Sequence, residues 1–98
     1  MDDPVHARGL VSTFIESAEK NLQDLETSLS RLDLKSAGRA AHTLVGSSAN
    51  LGASRMEAIA VRMEEAANRQ DAAALREQLP TLRARFKAAA AALRALLT

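Results

Sequence analysis

Apolar side chains recur at alternating intervals of four and three residues along most of this 98-residue chain. That spacing places them on one side of an α-helix, whereas a half-buried β-strand alternates at every second residue. The two runs of the first half are Val11, Ile15, Ala18, Leu22, Leu25, Leu29 and Leu32, then Ala37, Ala41, Leu44, Ser48 and Leu51. Those of the second half are Met56, Ala60, Met63 and Ala67, then Leu75, Leu79, Leu82, Phe86, Ala89, Leu93 and Leu96. The pattern predicts an all-α fold of four amphipathic helices.

Residues that favour helix ends separate the four runs. Gly52 can adopt the left-handed conformation that ends a helix, and Ser54 with Glu57 predicts a capping box for the third helix. Asp71 is expected to cap the last helix. Pro80 interrupts the fourth run without changing its phase, so we expect one helix that is kinked there; the alternative is a break at Gln78 or Leu79. Connections this short make successive helices antiparallel, which predicts an up-down-up-down four-helix bundle.

Composition narrows the classes of function that are open to this domain, which we expect to span residues 1–98. Thirteen Lys and Arg residues against twelve Asp and Glu give a net charge of +1, and the chain has no Trp or Tyr. Both features argue against a nucleic-acid binder. No apolar run approaches the roughly 20 residues that cross a bilayer, and the acidic start of the chain is unlike a secretory signal. We therefore expect a cytoplasmic protein without membrane insertion.

His42 is the candidate functional residue, because the second apolar run directs it about 140° away from the predicted core. Gly38 and Gly46 lie four residues before and after it, and each costs roughly 1 kcal/mol relative to alanine in a helix. The two glycines suggest that space around the imidazole is kept clear for another protein. Lys35 and Arg39 lie on the same side and could stabilise a phosphoryl group on the ring. The alternative is that His42 is an ordinary solvated surface residue.

The segment Ala41-His42-Thr43-Leu44-Val45-Gly46-Ser47-Ser48, followed by Leu51-Gly52-Ala53, resembles the signature of histidine-containing phosphotransfer (HPt) domains. The resemblance implies a four-helix bundle that works as a phosphorelay intermediate. Such a domain accepts a phosphoryl group on histidine from the phospho-aspartate of a response-regulator receiver domain, and passes it to another receiver aspartate. It implies no kinase activity and no cofactor in this chain, since the Mg²⁺ is expected in the receiver. A hybrid sensor kinase is the expected further partner.

Carried over residue by residue, the resemblance makes His42 the phosphoacceptor and Gly46 the glycine that lets the receiver approach. Glu64 matches a position that orients the imidazole through a hydrogen bond. The helical wheel agrees, because Glu64 lies about 80° from the core direction of the third run. A receiver-docking face is expected around Gly38, Ala49 and the edge of the first helix; its full set is Phe14, Lys35, Gly38, Arg39, Val45, Gly46 and Ala49.

Val45 departs from the family pattern, which commonly has lysine three residues after the histidine. This substitution supports an alternative function: a degenerate HPt-like docking or inhibitory module without phosphotransfer. A plain helical oligomerisation module is a third hypothesis, but it leaves His42 and its flanking glycines without a purpose. The phosphotransfer hypothesis predicts a monomer in isolation. A metalloenzyme is disfavoured, because two histidines and no cysteine provide no metal-ligand grouping.

Overall fold

The computed structural model describes the backbone of residues 4–97 and the side chains of residues 7–97. Four helices span α1 Pro4–Ser30, α2 Leu34–Asn50, α3 Ser54–Asn68 and α4 Ala72–Ala95. Each helix packs against the next, and α1 also packs against α4, which closes the bundle. The predicted all-α, up-down-up-down four-helix bundle is confirmed. Helix α4 continues through Pro80 without a break.

All three connections between helices have the same construction. The residues Leu32, Gly52 and Gln70 have positive φ angles of 56°, 69° and 58°. The next residue in each connection donates its N–H to a carbonyl five residues back, as Ala53 does to Ser48 at 2.8 Å. This is the Schellman pattern of helix ends, in which the residue after the left-handed one closes the last turn. That same residue is also the N-cap of the following helix.

The caps differ between the three connections. Asp33 and Asp71 accept a hydrogen bond from the backbone N–H three residues on, at 3.1 and 3.0 Å, so the predicted capping role of Asp71 is confirmed. The capping box predicted at Ser54 is wrong, because Ala53 is the N-cap and forms no side-chain cap. The Schellman turn ends on Ala53, which makes Ser54 the first residue inside the helix.

The core contains most of the predicted apolar runs. The buried members include Ile15, Leu22, Leu25, Leu44, Met56, Met63, Leu75 and Leu82. Alanines in α2 and α3 are also fully buried, which brings these two helices close together. Burial was predicted wrongly for two members of these runs, because Leu32 is 61% exposed and Leu96 is 81% exposed. Leu32 occupies the left-handed turn position, and Leu96 follows the end of α4.

The helices differ in length, and this difference shapes one end of the bundle. Helices α1 and α4 have 27 and 24 residues, whereas α2 and α3 have 17 and 15. At 1.5 Å per residue the long pair is about 15 Å longer than the short pair. The start of α1 and the end of α4 therefore extend beyond the α2–α3 connection. Arg8 Nη2 joins the two at their tips by donating to the Leu97 carbonyl at 3.0 Å.

Candidate functional site

His42 lies halfway along α2 with its side chain in solvent. Its immediate predecessor Ala41 and the residue two positions on, Leu44, are fully buried and hold this stretch of α2 against the core. The His42 side chain keeps 74% of its surface exposed. The imidazole therefore projects from a rigid helix into solvent, where a macromolecule can reach it.

Glu64 of α3 lies beside the ring. Its Oε2 is 2.7 Å from Nδ1 of His42, and the Glu64 side chain is 29% exposed. An ionised carboxylate can only accept a hydrogen bond, so Nδ1 carries the proton and donates it to Glu64. In the neutral ring the other nitrogen, Nε2, then has a free lone pair. The contact expected from the sequence between these two side chains is present.

The reach of Glu64 depends on a close approach of α2 and α3 one turn away. A Cβ built on Gly38 would lie 3.2 Å from Cβ of Ala67. Gly38 precedes His42 by one turn and Ala67 follows Glu64 by one turn, so the antiparallel helices place both pairs in register. The place of Gly38 in a partner-docking face stays a prediction, and the structure adds a packing role for this glycine. Its missing side chain allows the two helices to approach each other.

Gly46 has a different environment. A Cβ built there would meet no atom of the described residues within 4 Å. Packing within the chain thus gives no reason for a glycine at this position. Ala49, one turn further along α2, is also exposed. Because Gly46 has no side chain and Ala49 has only a methyl group, no long side chain projects from α2 at these two positions beyond His42.

Positive charge lies on the other side of His42, toward the α1–α2 connection. Lys35 and Arg39 line a groove of about 770 Å³ that also contains His42 and Glu64. The Arg39 guanidinium donates to Ser36 Oγ at 3.3 Å, and Ser36 Oγ in turn donates to Asp33 at 2.7 Å. The hydrogen bonds from the Ser36 hydroxyl and amide lower the pKa of Asp33, which favours its charged form. The Arg39 guanidinium thus has a hydrogen-bond partner, Ser36, that is not among the residues lining this groove.

Two further predicted residues lie at the borders of this surface. Val45 is half-buried and packs against the core. Phe14 of α1 is 36% exposed. Counted back from the α1–α2 connection at 1.5 Å per residue, it lies near the level of Ala49, about 10 Å beyond His42. Sequence reasoning missed Leu10, which is 47% exposed. It precedes Phe14 by four residues, and this spacing places both side chains on one side of α1.

The described part of the chain has neither a metal-ligand cluster nor a membrane-spanning helix. Among the described side chains, those of residues 7–97, no group of three or more His, Cys, Asp or Glu could hold a metal ion. No helix in the same range combines the length and apolar character that crossing a bilayer requires.

The fold and the site together define a class of protein: a small antiparallel helix bundle with an exposed histidine on one helix, paired with a glutamate of the next. The family model of the Hpt domain matches residues 9–96. The chain therefore belongs to the Hpt domain family, whose members perform histidine phosphotransfer in two-component phosphorelays and interact with receiver domains. No curated protein and no solved structure matches the chain.

Proposed function

We propose that His42 accepts a phosphoryl group from the phospho-aspartate of one receiver domain and passes it to the aspartate of another. The observation that carries this proposal is the pairing of an exposed imidazole with Glu64 at 2.7 Å. This pairing leaves Nε2 as the nucleophile and directs it away from the carboxylate. The domain itself has no kinase activity in this proposal.

The transfer is a displacement at phosphorus. The Nε2 lone pair attacks the phosphorus of the aspartyl phosphate, the N–P bond forms, and the bond from phosphorus to the aspartate oxygen breaks. The aspartate leaves as a carboxylate with that electron pair. The imidazole ring becomes positively charged, and its Nδ1–H bond to Glu64 strengthens because the donor is now cationic. Glu64 therefore stabilises the phosphorylated ring more than the free ring.

The receiver supplies the remaining chemistry in this proposal, including the Mg²⁺ that stabilises the transferring group. Its docking face on this chain comprises Gly46 and Ala49 beside the exposed ring, and extends along the bundle to Phe14 and then Leu10. The open space at Gly46 supports this assignment, since no contact within the chain accounts for the glycine. We further propose that the domain is a monomer in isolation and that a hybrid sensor kinase carries one of its receivers.

Val45 removes the cation that the family commonly has on the C-terminal side of the histidine. Lys35 and Arg39 provide positive charge on the N-terminal side instead, in the groove that contains His42. We propose that they receive the phosphoryl oxygens after transfer.

The test is incubation with a panel of phosphorylated receiver domains, scored for an acid-labile, base-stable label on this chain. We expect label on the wild type and none on His42→Gln, with the same helical circular dichroism signal for both. The second candidate function, a docking module without phosphotransfer, rests on Val45. Receiver binding without any phosphohistidine would favour that module and contradict the transfer proposal.

A further inference from the structure

A second surface lies at the other end of the short helices, away from His42. The end of α4 extends beyond the α2–α3 connection and leaves a groove of about 510 Å³ beside it. One wall consists of the connection and the start of α3, from Leu51 to Met56; the other consists of α4 residues between Ala84 and Leu96. Gly52 is ten residues from His42, about 15 Å along the helix. We refer to this feature as the overhang groove.

The floor and walls of the overhang groove are apolar. Met56 is 1% exposed at its base, and Leu51 and Leu93 are half-buried along its sides. Leu96 stands 81% exposed at its outer end. In a bundle with four equal helices, α2 and α3 would cover this part of α4. Here Leu93 and Leu96 continue the apolar run whose earlier members Leu75 and Leu82 are buried, and within the described residues no helix covers Leu96.

The charges around the groove have one sign. Arg55 and Arg85 line it, and none of its lining residues is acidic. Arg85 Nη1 donates to the Arg55 carbonyl at 3.0 Å, and within residues 7–97 neither arginine forms an ion pair. The end of α4 adds to this field: residues 78–97 contain Arg83, Arg85, Lys87 and Arg94 and no Asp or Glu. Of these four cations, Arg83 is paired with a carboxylate, that of Glu26.

We propose that the overhang groove binds an amphipathic helix of a partner protein, with small apolar side chains on one face and Asp or Glu on its flanks. The short Ala88 and Ala92 side chains allow helix axes to approach to about 8 Å. Acidic flanks would meet Arg55 and Arg85, which lack a counter-charge in the described chain. The apolar residues form a concave groove rather than a protruding ridge, and this shape suits a helix better than a lipid surface. This binding function is separate from the phosphotransfer proposed for His42.

The test uses two synthetic helical peptides of about 18 residues, long enough to form helix in water. One has a Leu and Ala face with Glu on both flanks, and the other has Lys in place of every Glu. We expect the Glu peptide to bind about tenfold or more tightly than the Lys peptide, because like charges across an interface oppose binding. Fluorescence anisotropy of labelled peptide measures both affinities.

Ala88→Glu places a carboxylate in the groove and is expected to weaken Glu-peptide binding by about tenfold. Ala91→Glu is the matched control, since it adds the same charge to an exposed position of α4 outside the groove lining. It should bind the Glu peptide nearly as wild type does, and both variants should keep wild-type circular dichroism. The rate of His42 labelling is measured on the same samples and should not change in either variant.

Three results would overturn the proposal. Equal binding of the two peptides would show that charge does not select the partner. Wild-type affinity in Ala88→Glu, or no binding of either peptide, would show that this groove is not the site. Binding of anionic phosphatidylserine vesicles in preference to the Glu peptide would assign the surface to lipid instead. None of these results depends on whether His42 is phosphorylated.

Discussion

Replacing Glu64 with alanine tests the most specific feature of the site, the carboxylate on Nδ1 of His42. The side chain is 29% exposed and lies on the surface of α3, so its loss leaves no cavity in the core. The ring should still be solvent-accessible and the bundle should still fold. The expected effect is a slower phosphoryl transfer, because the developing positive charge on the ring loses its acceptor.

The size of this effect follows from the geometry. A hydrogen bond that involves a charged group contributes about 1.5–3 kcal/mol when shielded from water. The His42 side chain is 74% exposed, so solvent screening reduces that value to about 1–1.5 kcal/mol. The transfer rate should fall about 5- to 12-fold. Glu64→Gln keeps a neutral acceptor and should fall between wild type and alanine.

The assay is single-turnover transfer from a phosphorylated receiver to this domain, with rates taken at saturating domain concentration. Glu65→Ala is the control, since Glu65 is the exposed neighbour on α3 and forms no side-chain ion pair within residues 7–97. Its rate should equal that of wild type. An unchanged rate for Glu64→Ala would refute the orienting role. A wild-type rate for Glu64→Gln would show instead that the charge of the carboxylate contributes nothing.

Three further predictions concern particular backbone and capping positions. Gly46→Ala should raise the free energy of unfolding by about 0.5–1 kcal/mol in thermal unfolding, since its Cβ meets open space. Gly46→Gln should fold equally well but slow phosphoryl transfer from the receiver. A wild-type transfer rate for Gly46→Gln would refute the docking role. Gly38→Val should lower stability by about 1–3 kcal/mol, because even a Cβ lies 3.2 Å from Ala67, and an unchanged melting temperature would contradict the close approach. Asp33→Ala should destabilise the fold at neutral pH through the lost cap of α2. The pKa of Asp33 is lowered in the folded state, so its stabilisation is present above the unfolded pKa and disappears as the pH falls through the folded pKa. The melting temperatures of wild type and Asp33→Ala should therefore converge in strong acid, and a constant gap would contradict this.

The helices and their buried sides could be predicted from the sequence, because periodicity of three and four is set by helix geometry alone. Periodicity does not show how far along its length the apolar face of a helix is covered by neighbouring helices. Leu96 continues the phase of the fourth run, yet it lies where α2 and α3 have already ended. It is exposed for that reason, although the residues that precede it in the run are buried or half-buried.

The connections were predictable only where a glycine marked them. Gly52 indicated its left-handed conformation, whereas Leu32 and Gln70 adopt the same conformation without a residue type that favours it. The left-handed region costs a residue with a side chain roughly 1–2 kcal/mol. At these two positions the cost is offset by the Schellman hydrogen bonds and by the packing of the helices that each turn joins. Such tertiary compensation is not encoded in local propensity.

In the candidate site too, features that depend on one helix could be predicted from the sequence, and features that depend on a neighbouring helix could not. A helical wheel was enough to direct His42 outward and Glu64 toward the neighbouring helix, since each depends on one helix only. The purpose of Gly38 depends on what faces it, and a single sequence does not say that Ala67 of α3 does. Gly46 and Gly38 therefore look alike along the chain, although the first faces open space and the second faces another helix.

In each connection between helices of this domain, the residue that closes one helix is also the N-cap of the next. Ala53 closes the last turn of α2 and begins α3, so the rotational setting of one helix is transmitted directly to the next. An α-helix turns by about 100° per residue, and one inserted residue that α3 absorbed would swing Glu64 away from its imidazole partner. The rotational positions of His42 and Glu64 on two separate helices are thus coupled through the three residues Leu51, Gly52 and Ala53. We therefore expect natural variation in length at the outer ends of α1 and α4 and not in this connection.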